Sequence, residues 1–80
     1  MLTVYFENSR GEKRTIGIAD KKETAWKIIF DFLAEHEYKT YYQRVNKFND
    51  DIEKIDVGSH TEFFWFVPEN QKHKFEEEEF

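Results

Sequence analysis

The strongest constraint on the fold is a polar turn that leads directly into a run of apolar residues. Residues 56–62 supply the turn, and residues 63–67 are consecutively apolar, with four aromatic side chains among the five. A strand without polar alternation is apolar on both faces and needs cover on both sides. We therefore expect the last hairpin of a sheet here, ending in a strand that needs two covers.

Length and composition indicate one small cytoplasmic domain. The chain has 80 residues, which suffices for a single domain at residues 1–68 followed by an acidic tail at 69–80 that we expect to be flexible, with some helix at 74–79. It has no cysteine, so a disulfide framework and a thiolate metal site are excluded, and a reducing cytoplasm is the expected location. The apolar N-terminal stretch ends at Glu7, which is too short for a signal peptide or a membrane span.

The charge distribution argues against nucleic acid as a partner. The formal net charge is −5, and the acidic tail contributes a large share of it. Attraction to a phosphate backbone depends on clustered lysine and arginine, and residues 1–68 have no such cluster.

The first third of the chain predicts a hairpin followed by a helix. Leu2–Glu7 and Lys13–Ala19 alternate as strands do, Gly11 suits the turn, and Ile16 and Ile18 are expected on one face. Asp20 with Glu23 has the spacing of a capping box, so a helix should begin there.

The apolar side of this helix is wider than one sheet requires. Its apolar residues span an arc of about 200°, roughly twice what a helix on a sheet needs. These residues are Ala25, Trp26, Ile28, Ile29, Phe30, Phe32, Leu33 and His36. Trp26 and Phe30 occupy one flank, where they either wrap the sheet edge or remain available to a partner.

The second half of the chain predicts three further strands. Residues 41–48 alternate with period two, 52–57 form the next strand, and 61–67 form the last, which Pro68 ends. A single helical turn at 51–55 is the alternative to the second of these strands. The order ββαβββ predicts an α+β two-layer sandwich, with an antiparallel sheet of about five strands and one helix on one face. The other face would be bare and aromatic.

One local cluster contains the residue types of acid–base or nucleophilic chemistry. It consists of Asp56, Ser59, His60 and Glu62. A hydroxyl nucleophile also needs a group that orients its base and a preorganised oxyanion site, and neighbours in a tight turn rarely point at one another. We expect the polar side chains of this cluster to form hydrogen bonds within the turn. His36, near the C-terminus of the helix, is expected to have a structural role. The chain is predicted to have no catalytic residue, metal site or cofactor.

Residues 55–64 carry a resemblance to a group of small proteins. A strand ending in Asp56-Val57-Gly58-Ser59, then a short polar stretch and an aromatic strand, resembles small uncharacterised proteins of phages and mobile elements in Gram-positive bacteria. The resemblance implies cytoplasmic expression in a host and binding to host or defence proteins. It implies no catalytic residue.

The surplus of aromatic residues over what one helix can cover predicts a non-enzymatic protein-interaction module, in the manner of a phage modulator of a host protein. The predicted contact residues are Trp26, Phe30, Tyr41, Tyr42 and Trp65. Self-association through the open sheet face predicts a homodimer.

The alternative is a binder of small ligands or single-stranded nucleic acid on the open face of the sheet. It requires Arg44 and Lys47 on the aromatic side of the sheet.

Overall fold

The fold is a five-stranded antiparallel sheet with two helices. The computed structural model describes residues 1–36, 43–47, 51–58 and 61–77, and within them the order of elements is ββαβββα. The strands are β1 (Leu2–Glu7), β2 (Lys13–Ala19), β3 (Arg44–Lys47), β4 (Glu53–Asp56) and β5 (Phe63–Pro68), and the helices are α1 (Lys22–Glu35) and α2 (Glu69–Glu77). The strands lie in the order β2-β1-β5-β4-β3. The α+β class is confirmed, and residues 53–56 form a strand rather than a helical turn.

The first hairpin has the predicted bounds but contains a bulge. Val4 lies opposite Gly17 and Tyr5 opposite Thr15, so Ile16 is an extra residue in β2. Ile16 packs against the core beneath α1, whereas Ile18 lies opposite Thr3 on the other face and is 55% exposed. The prediction that Ile16 and Ile18 share a face was wrong, because a bulge reverses the alternation without any mark in the residue pattern.

Helix α1 begins one residue later than a capping box at Asp20 would require. The N-cap is Lys21, whose side chain makes no capping hydrogen bond, and Asp20 Oδ1 instead accepts a hydrogen bond from Thr24 Oγ1 at 3.2 Å. The capping-box prediction was therefore wrong. The first turn is tied to the sheet by an ion pair of 2.9 Å between Lys22 Nζ and the largely buried Glu53.

The main core lies between α1 and the sheet. The buried residues of the helix are Ala25, Ile29, Phe32 and Leu33. The Phe64 ring centre is 5.3 Å from that of Phe6 and 5.6 Å from that of Phe32. A Cβ at Gly17 would lie 2.8 Å from Ile28 Cδ1, so the absence of a side chain there lets α1 approach β2 closely.

Helix α2 covers part of the second face of the sheet. The sequence predicted a flexible tail here, with some helix at 74–79, and a bare sheet face, but α2 begins directly after Pro68 and contacts β5 and β1. Its anchor is Phe75, which is 2% exposed and packs in a second core cluster with Tyr5, Ile52, Trp65 and Val67. Both faces of β5 are thus covered within one chain, by α1 on one side and α2 on the other.

Candidate interaction surface

Two aromatic residues on one flank of α1 form the most exposed aromatic feature of the described residues. Trp26 and Phe30 are one helical turn apart, and their rings stack with centres 5.8 Å apart at an interplanar angle of 27°. The Trp26 ring meets Phe66 of β5 edge-on at 5.4 Å and is half-buried. Phe30 is 43% exposed. We call Trp26 and Phe30 the α1 aromatic pair: one ring is anchored in the core, and it supports the other at the surface.

The α1 aromatic pair lies on the side of α1 that is turned toward β4 and β3. Helix α1 sits mainly over β2 and β1, and Ile28 on its opposite flank contacts β2. On the same sheet face as α1, Val45 of the edge strand β3 is 44% exposed and lies opposite the buried Ile55. Val45 was not among the predicted contact residues. Its only signal in the sequence was its place in the alternation of residues 41–48.

Charged side chains lie beside this apolar surface. Glu53 lies opposite Phe66 on the neighbouring strand, and the Trp26 ring contacts Phe66. The Glu53 carboxylate forms an ion pair with Lys22. Lys47 lies opposite Glu53 on the edge strand. An apolar centre with a charged rim is the usual anatomy of a protein-binding surface.

Trp65, another of the five predicted contact residues, is covered. It is 2% exposed, and its ring centre lies 5.3 Å from that of Phe75 on α2. Its indole Nε1 donates a hydrogen bond of 2.8 Å to Glu7 Oε1. Lys54 Nζ lies 5.3 Å from its ring centre. With α2 in place, Trp65 presents almost no surface to a partner.

The Tyr5 hydroxyl makes a hydrogen bond to α2. It donates to Glu76 Oε1 at 2.9 Å, and the Tyr5 and Phe75 ring centres are 4.8 Å apart. Burial, and then the hydrogen bond to the Glu76 carboxylate and its charge, raise the pKa of the Tyr5 phenol well above its ordinary value. Tyr5 therefore stays protonated and able to donate at any physiological pH.

Some of the remaining predicted residues have structural roles, and others lie outside the described residues. Those outside are Tyr41, Tyr42, Ser59 and His60. Asp56 Oδ1 accepts a hydrogen bond from the Gly58 amide at 2.9 Å, which is the predicted turn role. His36 is the C-cap of α1, where its Nδ1 donates to the Phe32 carbonyl at 3.0 Å, as expected for a structural role.

The arrangement required by the ligand-binding or nucleic-acid-binding alternative is not present. Arg44 lies opposite Asp56, on the sheet face that Lys54 and Trp65 share, whereas Lys47 lies opposite Glu53 on the face toward α1. The two cations are thus on opposite sides of the sheet. Among the described residues, no three histidine, aspartate or glutamate side chains are grouped so that they could hold a metal ion.

Within the part of the chain that the structure describes, neither α1 nor α2 has the length and apolar content needed to cross a bilayer.

No protein-family model matches the chain, and no curated protein or solved structure shows significant similarity to it.

Proposed function

We propose that this protein is a non-enzymatic protein-interaction module whose contact surface is the α1 aromatic pair together with Val45. The observation that carries the proposal is the exposure of Phe30, which is 43% exposed and has its ring stacked on Trp26. Tryptophan and other aromatic residues supply much of the binding energy of protein interfaces. Because Trp26 is anchored against Phe66, the pair is held in place before a partner arrives, which lowers the entropy lost on binding.

Phe30 contributes little to packing within the domain. The helix residues buried against the sheet are Ala25, Ile29, Phe32 and Leu33, and Phe30 is not among them. An exposed phenylalanine adds little to the stability of a fold, and a contiguous apolar patch lowers solubility. A contact surface for another protein accounts for this position.

The proposed partner is a host protein, in keeping with the resemblance of residues 55–64 to phage and mobile-element proteins, and the proposed location is the cytoplasm. Among the described residues, the rim carries two lysines, Lys22 and Lys47, and one carboxylate, that of Glu53, which is paired with Lys22. The remaining positive charge favours a partner that presents an apolar side chain flanked by an acidic residue, since opposite charges at a rim speed association.

Phe30→Ala is expected to abolish partner binding without unfolding the domain. The substitution removes an exposed ring, and alanine preserves the helix. Ile18→Ala is the matched control, because Ile18 is also a large exposed apolar residue but lies on the opposite sheet face. Immobilised wild type and both variants would be incubated with host lysate, and the captured proteins quantified by mass spectrometry after thermal melts of each variant.

The proposal requires at least one protein that wild type and Ile18→Ala capture equally. Capture of the same protein by Phe30→Ala should fall tenfold or more, which corresponds to about 1.4 kcal/mol or above. Equal capture by a folded Phe30→Ala variant would refute the assignment of the surface.

The homodimer that the sequence predicts remains a separate proposal. Its route through an open sheet face would require α2 to move, since α2 packs over Tyr5, Trp65 and Val67. Sedimentation of the wild type over a range of concentrations decides whether a dimer forms.

A further inference from the structure

We propose that α2 is a displaceable latch over a second interaction surface, and that this surface accepts a helix of another protein carrying a phenylalanine followed by a glutamate. The surface, which we call the latch face, consists of Tyr5, Ile52, Trp65 and Val67. It lies on the opposite side of the sheet from the α1 aromatic pair, so this proposal does not depend on the proposed function.

Phe75 is the buried anchor of α2. Among residues 69–76, Phe75 alone is buried, and the rest are exposed or half-buried. The carboxylate of Glu76 accepts a hydrogen bond from Tyr5, and the Glu69 amide donates to the Met1 carbonyl at 2.9 Å. A helix of nine residues is not stable by itself in water, so α2 persists only while it is docked. Such a segment is expected to open more easily than the sheet beneath it.

The latch face itself is held by contacts that do not involve α2. Tyr5 and Trp65 are direct neighbours on the paired strands β1 and β5, in the middle of the sheet. The Trp65 indole is fixed by its hydrogen bond to Glu7, which is itself 3.8 Å from Lys13 Nζ. When α2 leaves, these rings therefore remain in position and become an exposed aromatic surface.

The docked α2 shows which chemistry fits the latch face. The Phe75 ring packs against both Tyr5 and Trp65, at 4.8 and 5.3 Å between ring centres, and the next residue places a carboxylate on the Tyr5 hydroxyl. Lys13 and Lys54 flank Trp65, at 6.0 and 5.3 Å from its ring centre. Because Lys13 is paired with Glu7, Lys54 is the cation that favours an acidic residue in the occupant. A partner helix with an aromatic residue followed by an acidic one reproduces these contacts.

A partner must compete with α2, which is tethered beside the latch face at an effective concentration in the millimolar range. Weakening α2 in the full chain should therefore open the latch face to a helix supplied in trans. Phe75→Ala removes the anchor and leaves every residue of the latch face unchanged.

The probe is a peptide of residues 69–77 with blocked ends, titrated into the full-length Phe75→Ala variant while the resonance of the Trp65 indole N–H is followed by nuclear magnetic resonance. We expect saturable binding to the variant and at least tenfold weaker binding to wild type, because the wild type's own α2 competes. The matched control peptide has Phe75→Ala and should not bind. Absence of saturable binding to the folded variant, or equal binding of the two peptides, overturns the proposal.

Glu76→Ala in the full chain provides a second test in case Phe75→Ala does not fold. It removes an exposed carboxylate and with it the acceptor for Tyr5, so the amides of α2 should exchange with solvent about fivefold faster than in wild type. The amides at the centre of β1 should keep their wild-type rates. If the amides of α2 exchange only as slowly as those of β1 in both proteins, α2 is not a separate opening unit and the proposal fails. A wild-type dimer formed by mutual exchange of α2 would also contradict it, because the occupant would then be a second copy.

Discussion

Replacing Phe64 by alanine is expected to lower the free energy of unfolding by about 3–5 kcal/mol, the range for phenylalanine-to-alanine changes in a well-packed core. Phe64 is fully buried on β5, and its ring packs against Phe6 and Phe32. Native domains have total stabilities of about 5–15 kcal/mol, so the loss would remove a large share of the stability.

The matched control for Phe64→Ala is Phe30→Ala. The same atoms are removed, but Phe30 is an exposed residue on α1. We expect a loss below about 1 kcal/mol, as for most surface substitutions. Denaturant titration of both variants gives the two free energies directly. Similar losses in the two would show that the core does not lie where the fold places it.

The second large loss of folding stability is expected when Trp65 is replaced. Its size tells whether Trp65 packs in the core or serves as a contact residue at the surface. A contact residue at the surface could be replaced at little cost to folding. Trp65 is instead buried under α2 and donates its indole proton to Glu7. Trp65→Ala should therefore cost about 3–5 kcal/mol, through the cavity and through the loss of a partner for the Glu7 carboxylate.

Thermal melts followed by far-ultraviolet circular dichroism measure the effect of Trp65→Ala. The control is Lys54→Ala, which removes the flanking cation and keeps the tryptophan. If Trp65→Ala melts within a few degrees of wild type, Trp65 is not part of the core and the docking of α2 is contradicted.

The first hairpin could be predicted because both of its strands have a clear pattern. Both strands of the first hairpin have the predicted bounds, because their apolar residues alternate and a turn glycine separates them. That glycine, Gly11, has a φ of 81°. The place of β4 was open, and the structure resolves it as a strand paired with both β3 and β5. The bulge at Ile16 could not be predicted, because it depends on the pairing with β1 and not on the local pattern.

Helix α2 was predicted only as some helix at 74–79 within a flexible tail, because its composition resembles that of a disordered segment. Residues 69–77 have a single aromatic side chain among charged and amide groups, so the local sequence offers little apolar surface to bury. What stabilises the helix is non-local: Phe75 meets Tyr5 and Trp65, which come from two other strands. The sequence indicated that β5 needs cover on a second face. It did not indicate that Phe75 supplies part of that cover.

The candidate surface was predicted in part. The wide apolar arc of α1 indicated that Trp26 and Phe30 exceed what the sheet can bury, and the structure leaves Phe30 exposed. The assignment of Trp65 assumed a bare sheet face, which α2 covers. Tyr41 and Tyr42 lie outside the described residues, so their part in the surface stays a prediction.

The central claim is that Trp26 lies half-buried at the surface, beside the exposed Phe30, while Trp65 lies beneath a docked α2. The chain has two tryptophans, so Trp65→Phe leaves Trp26 as the single reporter, and Trp26→Phe leaves Trp65. Acrylamide quenching of tryptophan fluorescence in the two folded variants compares their accessibility directly. We predict steep quenching of Trp26 and shallow quenching of Trp65. Equal slopes, or a Trp65 that is quenched more steeply than Trp26, would contradict the account.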